Sequence, residues 1–365
     1  MLIVRSPVRI SFGGGGTDLP AYYEQFGGAV LSVAINKYFY TILRTRNDGR
    51  IQVISSDLRV FETWHDITNM PIQGSELDIP LAVLKDVGRD VSVDLFLASE
   101  IPPGTGLGSS ASVCVNILKT LRTYIQSPIS KHELAERSFD IARRMLGKSV
   151  GKQDEYAASF GGLNYISIDR DGSVQVEPLD LDSVVLREFQ DNLMLYFTGS
   201  AHHSWSILEE QEASTRAHSS STVDALHEVK NLAGRMRPLL KEGKLQQFAE
   251  LLDAGWQAKR RISKKISTPM IDHLYSCARK AGAIGGKITG AGGGGFLLLY
   301  CEPANQEAVR QVMLNEGIRE MAFSFDMQGA QGIVNDPFID GDEKGGARWL
   351  FMPKPVTAPA SSKKR

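Results

Sequence analysis

Residues 102–110 read PPGTGLGSS, a glycine-rich loop between two segments of different hydrophobic period. The alternation in residues 91–98 predicts a strand before the loop, and the apolar spacing in residues 110–124 predicts a helix after it. Glycines let backbone amides approach an anion closely, and a helix that starts at Ser109 and Ser110 adds free amides and the positive end of its dipole. The loop therefore indicates phosphate binding, with serine hydroxyls available to a phosphate or to magnesium; the alternative is a turn that serves packing alone.

Two other nucleotide-binding signatures do not fit the chain. A Walker A loop needs the pattern GxxxxGK followed by Ser or Thr, placed after a strand. The segment that ends in Gly147-Lys148-Ser149 has Ala142 in place of the first glycine, and it follows a predicted helix. A Rossmann fingerprint needs GxGxxG, whereas residues 104–108 have the spacing GxGxG, with no acidic ribose ligand soon after it. The sequence favours neither fold.

Two further glycine clusters lie far from this loop. Residues 13–16 are four glycines followed by Thr17 and Asp18, and residues 287–295 read KITGAGGGG. Four consecutive glycines cost more backbone entropy than a hairpin requires, so we expect the backbone there to approach a ligand or another loop closely. Three such clusters in one chain predict an enzyme that handles phosphates.

Composition narrows the classes of partner and compartment. Lys and Arg number 41 against 42 acidic residues, a formal net charge of −1, which argues against a nucleic-acid partner. The three cysteines are scattered, which argues against structural zinc and a disulfide framework. The N-terminus does not resemble a signal peptide, and no run of about 18 apolar residues predicts a membrane span. We therefore expect a cytoplasmic protein that binds neither nucleic acid nor membrane.

The remaining patterns predict a β-rich first third, a largely helical stretch over residues 204–282, and two domains. Strands are expected at residues 2–12, 29–34, 38–45, 50–55, 91–98, 163–168, 173–177, 192–198, 287–289, 296–301 and 321–326, and further helices at 131–146 and 303–316. Asp48-Gly49 predicts a hairpin turn, and Ser130 with Glu133 predicts a capping box. We place the domain boundary near residue 180, giving domains 1–180 and 181–336 and a flexible tail at 337–365.

The segment GKQDEY at residues 151–156 supplies a candidate catalytic group. Phosphoryl transfer needs a residue that orients or deprotonates the acceptor hydroxyl. Asp154 is suited to this role, with Lys152 or Arg9 keeping its carboxylate ionised; the alternative is a solvated, charged helix start. Adjacent histidines on a helix face different ways, so His202 and its neighbour do not predict a shared metal. A phosphate or sugar contact and a surface position remain the alternatives for them.

Three segments, PVRISFGGGGTDLP (7–20), PPGTGLGSSAS (102–112) and KITGAGGGGF (287–296), resemble in this order the three motifs of the GHMP kinases. That superfamily includes galactokinase and the homoserine, mevalonate and phosphomevalonate kinases. The runs GGGGTDLPAYY, AINKYFY, GKQDEYAASFGG and FSFDMQGA are similar to the D-glycero-D-manno-heptose 7-phosphate kinases. The resemblance covers roughly residues 1–335 and implies an α+β, two-domain GHMP kinase fold. Its N-terminal domain would be like the second domain of ribosomal protein S5, its C-terminal domain ferredoxin-like, with the active site between them.

The resemblance also implies an activity that uses ATP and Mg²⁺. Such enzymes phosphorylate the anomeric hydroxyl of the heptose 7-phosphate and give a 1,7-bisphosphate for the nucleotide-activated heptose of bacterial surface polysaccharide. Two alternatives stay open: a kinase for another sugar such as fucose or galactose, and a sensor of sugar and ATP without turnover. The partners expected are thus a small sugar phosphate and ATP. The oligomeric state is left open, a dimer included.

Residue by residue, Asp154 matches the family's catalytic aspartate, Arg9 an arginine placed near it, and Asp18 an aspartate that hydrogen-bonds sugar hydroxyls. Ser110 matches the serine whose hydroxyl reaches magnesium. The expected nucleotide contacts are Pro103, Gly104, Gly106, Leu107, Gly108, Ser109, Ser110, Thr289, Gly290 and Gly292. The expected contacts on the sugar side are Gly15, Thr17, Asp18, Lys152, Gln153 and His202.

The chain departs from the family pattern at two positions. Many relatives carry a glutamate that binds magnesium on the helix before the catalytic aspartate, whereas this chain has Ala142. We therefore expect the metal to be held mostly by phosphates, Ser110 and water. Related sugar kinases also have an arginine in a TG-x-x-R segment, where this chain has His202. An imidazole grips phosphate less firmly than a bidentate guanidinium.

Overall fold

A computed structural model describes residues 1–68, 70–72, 74–199 and 204–335; the predicted tail at 337–365 and the predicted contact His202 lie outside these ranges. The strands are β1 (Leu2–Gly13), β2 (Gly28–Thr45), β3 (Ile51–Ser55), β4 (Val60–Trp64), β5 (Val93–Ser99), β6 (Leu163–Ile168), β7 (Val174–Pro178), β8 (Leu193–Phe197), β9 (Gly285–Ile288), β10 (Phe296–Tyr300) and β11 (Gln331–Asn335). The helices are α1 (Pro20–Phe26), α2 (Asp78–Val87), α3 (Ser109–Tyr124), α4 (Lys131–Asp140), α5 (Gln153–Phe160), α6 (Ser183–Asp191), α7 (Ser204–Arg216), α8 (Ser220–Lys241), α9 (Leu245–Arg260), α10 (Pro269–Lys280) and α11 (Pro303–Asn315). Among these helices, none combines the length and apolar character needed to cross a bilayer.

The first sheet is built around the long strand β2. Its order is β11-β1-β2-β5-β3-β4, and β6 and β7 extend it from the first half of β2. The two strands predicted at 29–34 and 38–45 are one strand, because residues 28–33 pair with β6 and residues 39–45 pair with β5. A strand that changes partner along its length shows the same alternation as two shorter strands, so the sequence pattern did not distinguish them.

The hairpin predicted at Asp48-Gly49 is wrong, because the strands on either side of this turn, β2 and β3, do not pair with each other. Gly49 has a φ of +69°, as a tight turn requires, but β5 lies between β2 and β3, and β3 runs parallel to β5. Arg46 secures this arrangement, since its guanidinium donates to Asp48 at 2.9 Å and to Asp94 of β5 at 2.6 Å. Turn residues specify that the chain reverses, and long-range packing decides which strand becomes the neighbour.

The strand predicted at 321–326 is also wrong. Within the described residues, this stretch and its neighbour Glu320 form only isolated bridges, Phe325 with Ile35 and Glu320 with Tyr196. Its alternating apolar side chains pack on the core, and its backbone makes scattered hydrogen bonds, among them those to Leu195, Ala34 and Asn36, because alternation reports one buried face and not a continuous ladder. The last described strand is β11, which pairs antiparallel with β1.

The predicted helix at 131–146 ends in a different geometry from the one expected. Its capping box is present: the amide of Glu133 donates to Ser130 Oγ at 3.1 Å, and the amide of Ser130 donates to Glu133 Oε2 at 2.8 Å. From Ile141 to Met145 the helix widens into a π turn. Such turns occur often at functional sites, and here the turn brings Ala142 to the wall of the cavity described below.

The second sheet is antiparallel, in the order β8-β10-β9, and every residue of its central strand β10 is buried. Helices α6 and α9 join it to the first sheet through an aromatic contact. The ring centroids of Phe12 on β1, Phe189 on α6 and Phe248 on α9 lie 5.0 to 5.5 Å apart. The chain thus combines two mainly antiparallel sheets with helices packed on them, a mixed α+β fold.

Candidate active site

The side chains of Arg9 and Asp154 form the centre of the site. The Arg9 Nε and Nη2 atoms donate to the two carboxylate oxygens of Asp154, each at 2.7 Å, and Nη1 donates to the carbonyl of Gly106 at 2.6 Å. Arg9 is 4% exposed and Asp154 is 25% exposed, so the carboxylate is fixed yet reachable from the cavity. Asp154 also lies in the first turn of α5, where the helix dipole favours a negative charge. The two predicted catalytic residues thus lie together.

The glycine-rich loop delivers the start of α3 to the same place. The amides of Ser109, Ser110 and Ala111 lie in the first turn, where they have no partner inside the helix, and all three residues line the cavity. Gly108 caps this helix with a φ of +78°. A Cβ atom there would lie 3.1 Å from Asp154 Oδ2, so glycine is needed both for the backbone conformation and for the space.

The third glycine cluster, at residues 287–295, packs against the glycine-rich loop at residues 102–110. Of the two close approaches expected for such a cluster, to a ligand or to another loop, the structure shows the approach to another loop. A Cβ atom on Gly290 would lie 2.5 Å from the Cα atom of Gly106, and one on Gly295 would lie 2.2 Å from the carbonyl oxygen of Thr105. Gly290 also lines the cavity. The excess of glycine therefore lets two backbone loops approach each other at the wall of the site.

Asp18 is the second buried carboxylate of the site and is 2% exposed. Its Oδ1 accepts from the amide of Gly16 at 2.8 Å, and its Oδ2 accepts from the amide of Gln153 at 3.1 Å. Burial and the charge of Asp154 raise the pKa of Asp18 above its usual value. Two backbone hydrogen bonds hold the carboxylate while further lone pairs remain for a hydroxyl group in the cavity.

The structure corrects the expectation for Lys152. Its ammonium donates to both carboxylate oxygens of Glu136, at 2.7 and 2.8 Å, and to the carbonyl of Gly172 at 2.7 Å. It is not on the cavity wall and does not pair with Asp154. Lys152 and Asp154 are two residues apart at the start of a helix, a spacing that points side chains in different directions. Lys152 therefore holds α5 to α4.

Thr17 is likewise turned into the protein. Its hydroxyl donates to the carbonyl of Gly14 at 2.7 Å, and the amide of Ala29 donates to that hydroxyl at 3.1 Å, so Thr17 shapes the first glycine cluster. Pro103, Leu107, Thr289 and Gly292 also lie off the cavity wall. The predicted residues that line the cavity are Arg9, Gly15, Asp18, Gly104, Gly106, Gly108, Ser109, Ser110, Gln153, Asp154 and Gly290.

Sequence reasoning missed two buried lysines beside these groups. Lys259 on α9 lines the cavity and donates to the carbonyl of Gly290. Burial and the positive charge of Arg9 lower the pKa of Lys259 to about 8. Lys287 on β9 donates to the carbonyl of Phe12 at 3.3 Å, and burial and the charge of Lys259 lower its pKa well below its usual value. Lys287 was visible as the first residue of the third glycine motif, whereas Lys259 stands in a helix without any motif.

The cavity has a volume of about 510 Å³ and contains buried polar atoms that have no partner within the protein. These atoms are Ser11 Oγ, Gln153 Oε1 and Glu155 Oε2. Buried polar groups in native proteins are nearly always hydrogen-bonded, so these atoms indicate a polar ligand. Free amides and two cations, Arg9 and Lys259, suit a triphosphate, and the oxygens of Ser110 and Glu155 suit a hard divalent cation. The residues present therefore fit both groups.

Two family models match this chain, in the same order as its motifs. The model of the GHMP kinases N terminal domain matches residues 78–162, and the model of the GHMP kinases C terminal matches residues 236–319. The first match includes the glycine-rich loop, α3 and Asp154, and the second includes Lys259 and the third glycine cluster. Both halves of the site thus lie in matched segments.

Individual relatives agree with these models. A D-glycero-alpha-D-manno-heptose 7-phosphate kinase of Campylobacter jejuni is 29% identical over 332 residues, covering 90% of this chain and 97% of that protein. An L-fucokinase/L-fucose-1-P guanylyltransferase of Bacteroides fragilis is 27% identical, covering 84% of this chain but only 35% of that protein. The crystal structure of a D-glycero-D-manno-heptose 1-phosphate kinase from Bacteroides thetaiotaomicron superposes with a TM-score of 0.77 at 28% identity, covering 92% of this chain and 100% of that one.

The motifs, the fold and both family models agree. The predicted α+β, two-domain fold is confirmed, and the resemblance drawn from the three glycine motifs is confirmed with it. The chain belongs to the GHMP kinases.

Proposed function

We propose that the protein is an ATP- and magnesium-dependent sugar kinase that phosphorylates the anomeric hydroxyl of D-glycero-D-manno-heptose 7-phosphate. The observation that carries the proposal is the bidentate Arg9–Asp154 pair, which shares one cavity with the free amides of α3. A fixed, accessible carboxylate beside an anion site is what transfer of a phosphoryl group to a hydroxyl needs. The heptose assignment is supported by relatives that are 29% and 28% identical over nine-tenths of this chain. ATP as donor suits a cytoplasmic enzyme.

Different residues of the cavity would bind the phosphates, the metal ion and the acceptor hydroxyl. The amides of Ser109, Ser110 and Ala111 would hold phosphate oxygens, and the ammonium of Lys259 would add positive charge next to them. A magnesium ion held by Ser110 would neutralise phosphate charge when bound. The Asp154 carboxylate, fixed by Arg9, would accept a hydrogen bond from the acceptor hydroxyl and orient its oxygen. Because phosphoryl transfer through a loose transition state needs little deprotonation at its start, orientation is the main contribution expected of Asp154.

Asp18 would fix the sugar ring. Its carboxylate lies in the cavity wall with Gln153, whose Oε1 has no partner within the protein. A sugar presents several hydroxyl groups, each able to donate to one such oxygen. Asp18 and Gln153 together therefore offer acceptors at fixed positions, as orientation of a polyhydroxylated substrate requires.

A second candidate function is a fucose or galactose kinase, which the Bacteroides fragilis fucokinase relative favours. The names of the two heptose kinase relatives also differ: the Campylobacter jejuni protein is named a 7-phosphate kinase, and the Bacteroides thetaiotaomicron protein a 1-phosphate kinase. A panel of sugars in an ADP-release assay separates these possibilities. It should contain the heptose, its 7-phosphate, its 1-phosphate, fucose and galactose.

We expect sugar-dependent ADP release with heptose 7-phosphate at a kcat/KM at least tenfold above that with any other sugar of the panel. A preference for fucose or galactose would replace the heptose assignment. Tight binding of ATP and sugar without any ADP release would indicate the sensor instead. Phosphorus NMR of the product then checks that the new phosphate is on the anomeric carbon.

Lys259 gives this activity an expected pH dependence. Its pKa of about 8 means that its ammonium is charged below that pH and neutral above it. Because the charged form would stabilise phosphate, we expect kcat/KM for ATP, which reports the free enzyme, to fall as pH rises through about 8. In Lys259→Arg the guanidinium stays charged, so the alkaline fall should disappear. A pH profile of both proteins is the measurement; an identical fall in the two would remove Lys259 from this role.

A further inference from the structure

Glu155, the residue after Asp154, is a buried acid without a partner. It is 2% exposed, and its Oε2 accepts no hydrogen bond. Within the described part of the chain, no Lys, Arg or His forms an ion pair with it. Buried polar groups in native proteins nearly always have a partner, and because Glu155 lies on the cavity wall its oxygen is available to a cation bound there.

The surroundings of Glu155 identify where that cation would lie. The same cavity wall contains Ser110 at the start of α3, Cys114 one helical turn further, and Ala142 on the π turn. Helix α5, which carries Glu155, packs against α3, which carries Ser110 and Cys114. Ala142 offers only a methyl group, so the π turn contributes no ligand oxygen from this side chain.

The other carboxylates of the cavity are already occupied or exposed. Asp154 is bound by Arg9, and Asp18 accepts from the amides of Gly16 and Gln153. Glu209 lies on α7 and is exposed to solvent. Among the described residues that line the cavity, Glu155 is thus the buried carboxylate whose oxygen has no partner.

We propose that Glu155 and the hydroxyl of Ser110 together hold the divalent cation that accompanies the nucleotide, so that Glu155 supplies the protein carboxylate that Ala142 does not. The proposal rests on the proposed function, because it concerns the metal of that same site. Magnesium prefers oxygen ligands and is commonly held by one or two carboxylates together with substrate phosphates. A single carboxylate, one hydroxyl and phosphate oxygens match that preference.

The test measures nucleotide binding and not turnover. Affinity for a non-hydrolysable ATP analogue is determined by calorimetry on the full chain, once in EDTA and once in millimolar Mg²⁺. The ratio of the two affinities is the contribution of the metal. Mg²⁺ is used because the ligand atoms of His273, Cys277 and Glu316 lie within 4.8 Å of one another and would attract softer cations.

We expect Mg²⁺ to tighten binding to the wild-type protein, and Glu155→Gln to lose at least about tenfold of that gain with metal-free affinity unchanged. Glu209→Gln is the matched control, because it removes the same charge from the same cavity but from an exposed position; its metal contribution should stay intact. Adding Ala142→Glu to Glu155→Gln should restore part of the loss, since it returns a carboxylate to the same wall.

Each other result has a distinct meaning. A full Mg²⁺ contribution in Glu155→Gln, or an equal loss in Glu209→Gln, overturns the assignment of Glu155. A wild-type protein that binds the analogue equally well with and without Mg²⁺ overturns it as well, while leaving the kinase proposal standing. A wild-type protein that does not bind the nucleotide at all overturns the proposed function.

Discussion

Asp154→Asn is expected to lower kcat by about a thousandfold or more while the affinity for ATP changes little. The substitution keeps the size of the side chain and its place in the first turn of α5. It removes the charge that Arg9 holds with two hydrogen bonds of 2.7 Å and replaces an acceptor oxygen facing the cavity with an amide donor. Loss of a positioned general base or orienting group typically costs factors of about 100 to 10,000.

The measurements are kcat from sugar-dependent ADP release and the dissociation constant of ATP by calorimetry. A thermal unfolding curve must show that the variant is folded, because it leaves the Arg9 guanidinium without its partner. Turnover within a factor of a few of the wild-type value would contradict the role given to Asp154, whatever the substrate proves to be.

Gly108→Ala is expected to lower kcat/KM for ATP by about tenfold, and by no more than about a hundredfold. The added Cβ would lie 3.1 Å from Asp154 Oδ2 and 3.3 Å from Arg9 Cζ, so the pair and the start of α3 must move apart. Contacts of this length require the neighbours to give by a few tenths of an ångström, and a misplacement of about 1 Å in an active site can cost about a hundredfold in rate. The residue also has a φ of +78°, which adds strain for any side chain.

Gly49→Ala separates these two effects. Gly49 has a φ of +69°, but a Cβ atom there would meet nothing within 4 Å. It should therefore show the cost of backbone strain, roughly 1 kcal/mol in the free energy of unfolding, with unchanged kinetics. Equal kinetic losses in the two variants would mean that strain, and not crowding of Arg9 and Asp154, explains the effect at Gly108.

The parts of the site that sequence could predict are those specified by local backbone geometry. The glycine-rich loop needs positive φ angles at three glycines, and Gly104, Gly106 and Gly108 have φ values of +75°, +80° and +78°. No other residue type adopts this conformation as readily, so the glycine pattern in the sequence predicts the geometry of the loop. The capping box at Ser130 is local in the same sense, and it too is present.

The parts that could not be predicted depend on which distant segments meet. Lys259 has no motif around it, and only the packing of α9 against the third glycine cluster brings its ammonium to Gly290. Lys152 stands beside the catalytic aspartate in the sequence, yet Glu136 on α4 takes its ammonium away from the cavity. The insertion of β5 between β2 and β3 is a third case. Spacing reports which side chains share a face of one element, whereas partners on other elements follow from the tertiary fold.

The pairing of β11 with β1 affects how the two parts of this protein can move. The first sheet contains strands from both sides of the proposed boundary near residue 180. Strand β11 lies more than 150 residues after that boundary, yet it pairs with β1, the strand that carries Arg9. The segment between β7 and β11, which contains Lys259 and the third glycine cluster, is thus tethered to the first sheet at both of its ends. Between these ends the segment also packs on the first sheet, through Phe189 and Phe248 against Phe12, so it cannot swing freely away. We therefore expect the cavity to admit its substrates by a small rocking motion that keeps the two glycine loops in register.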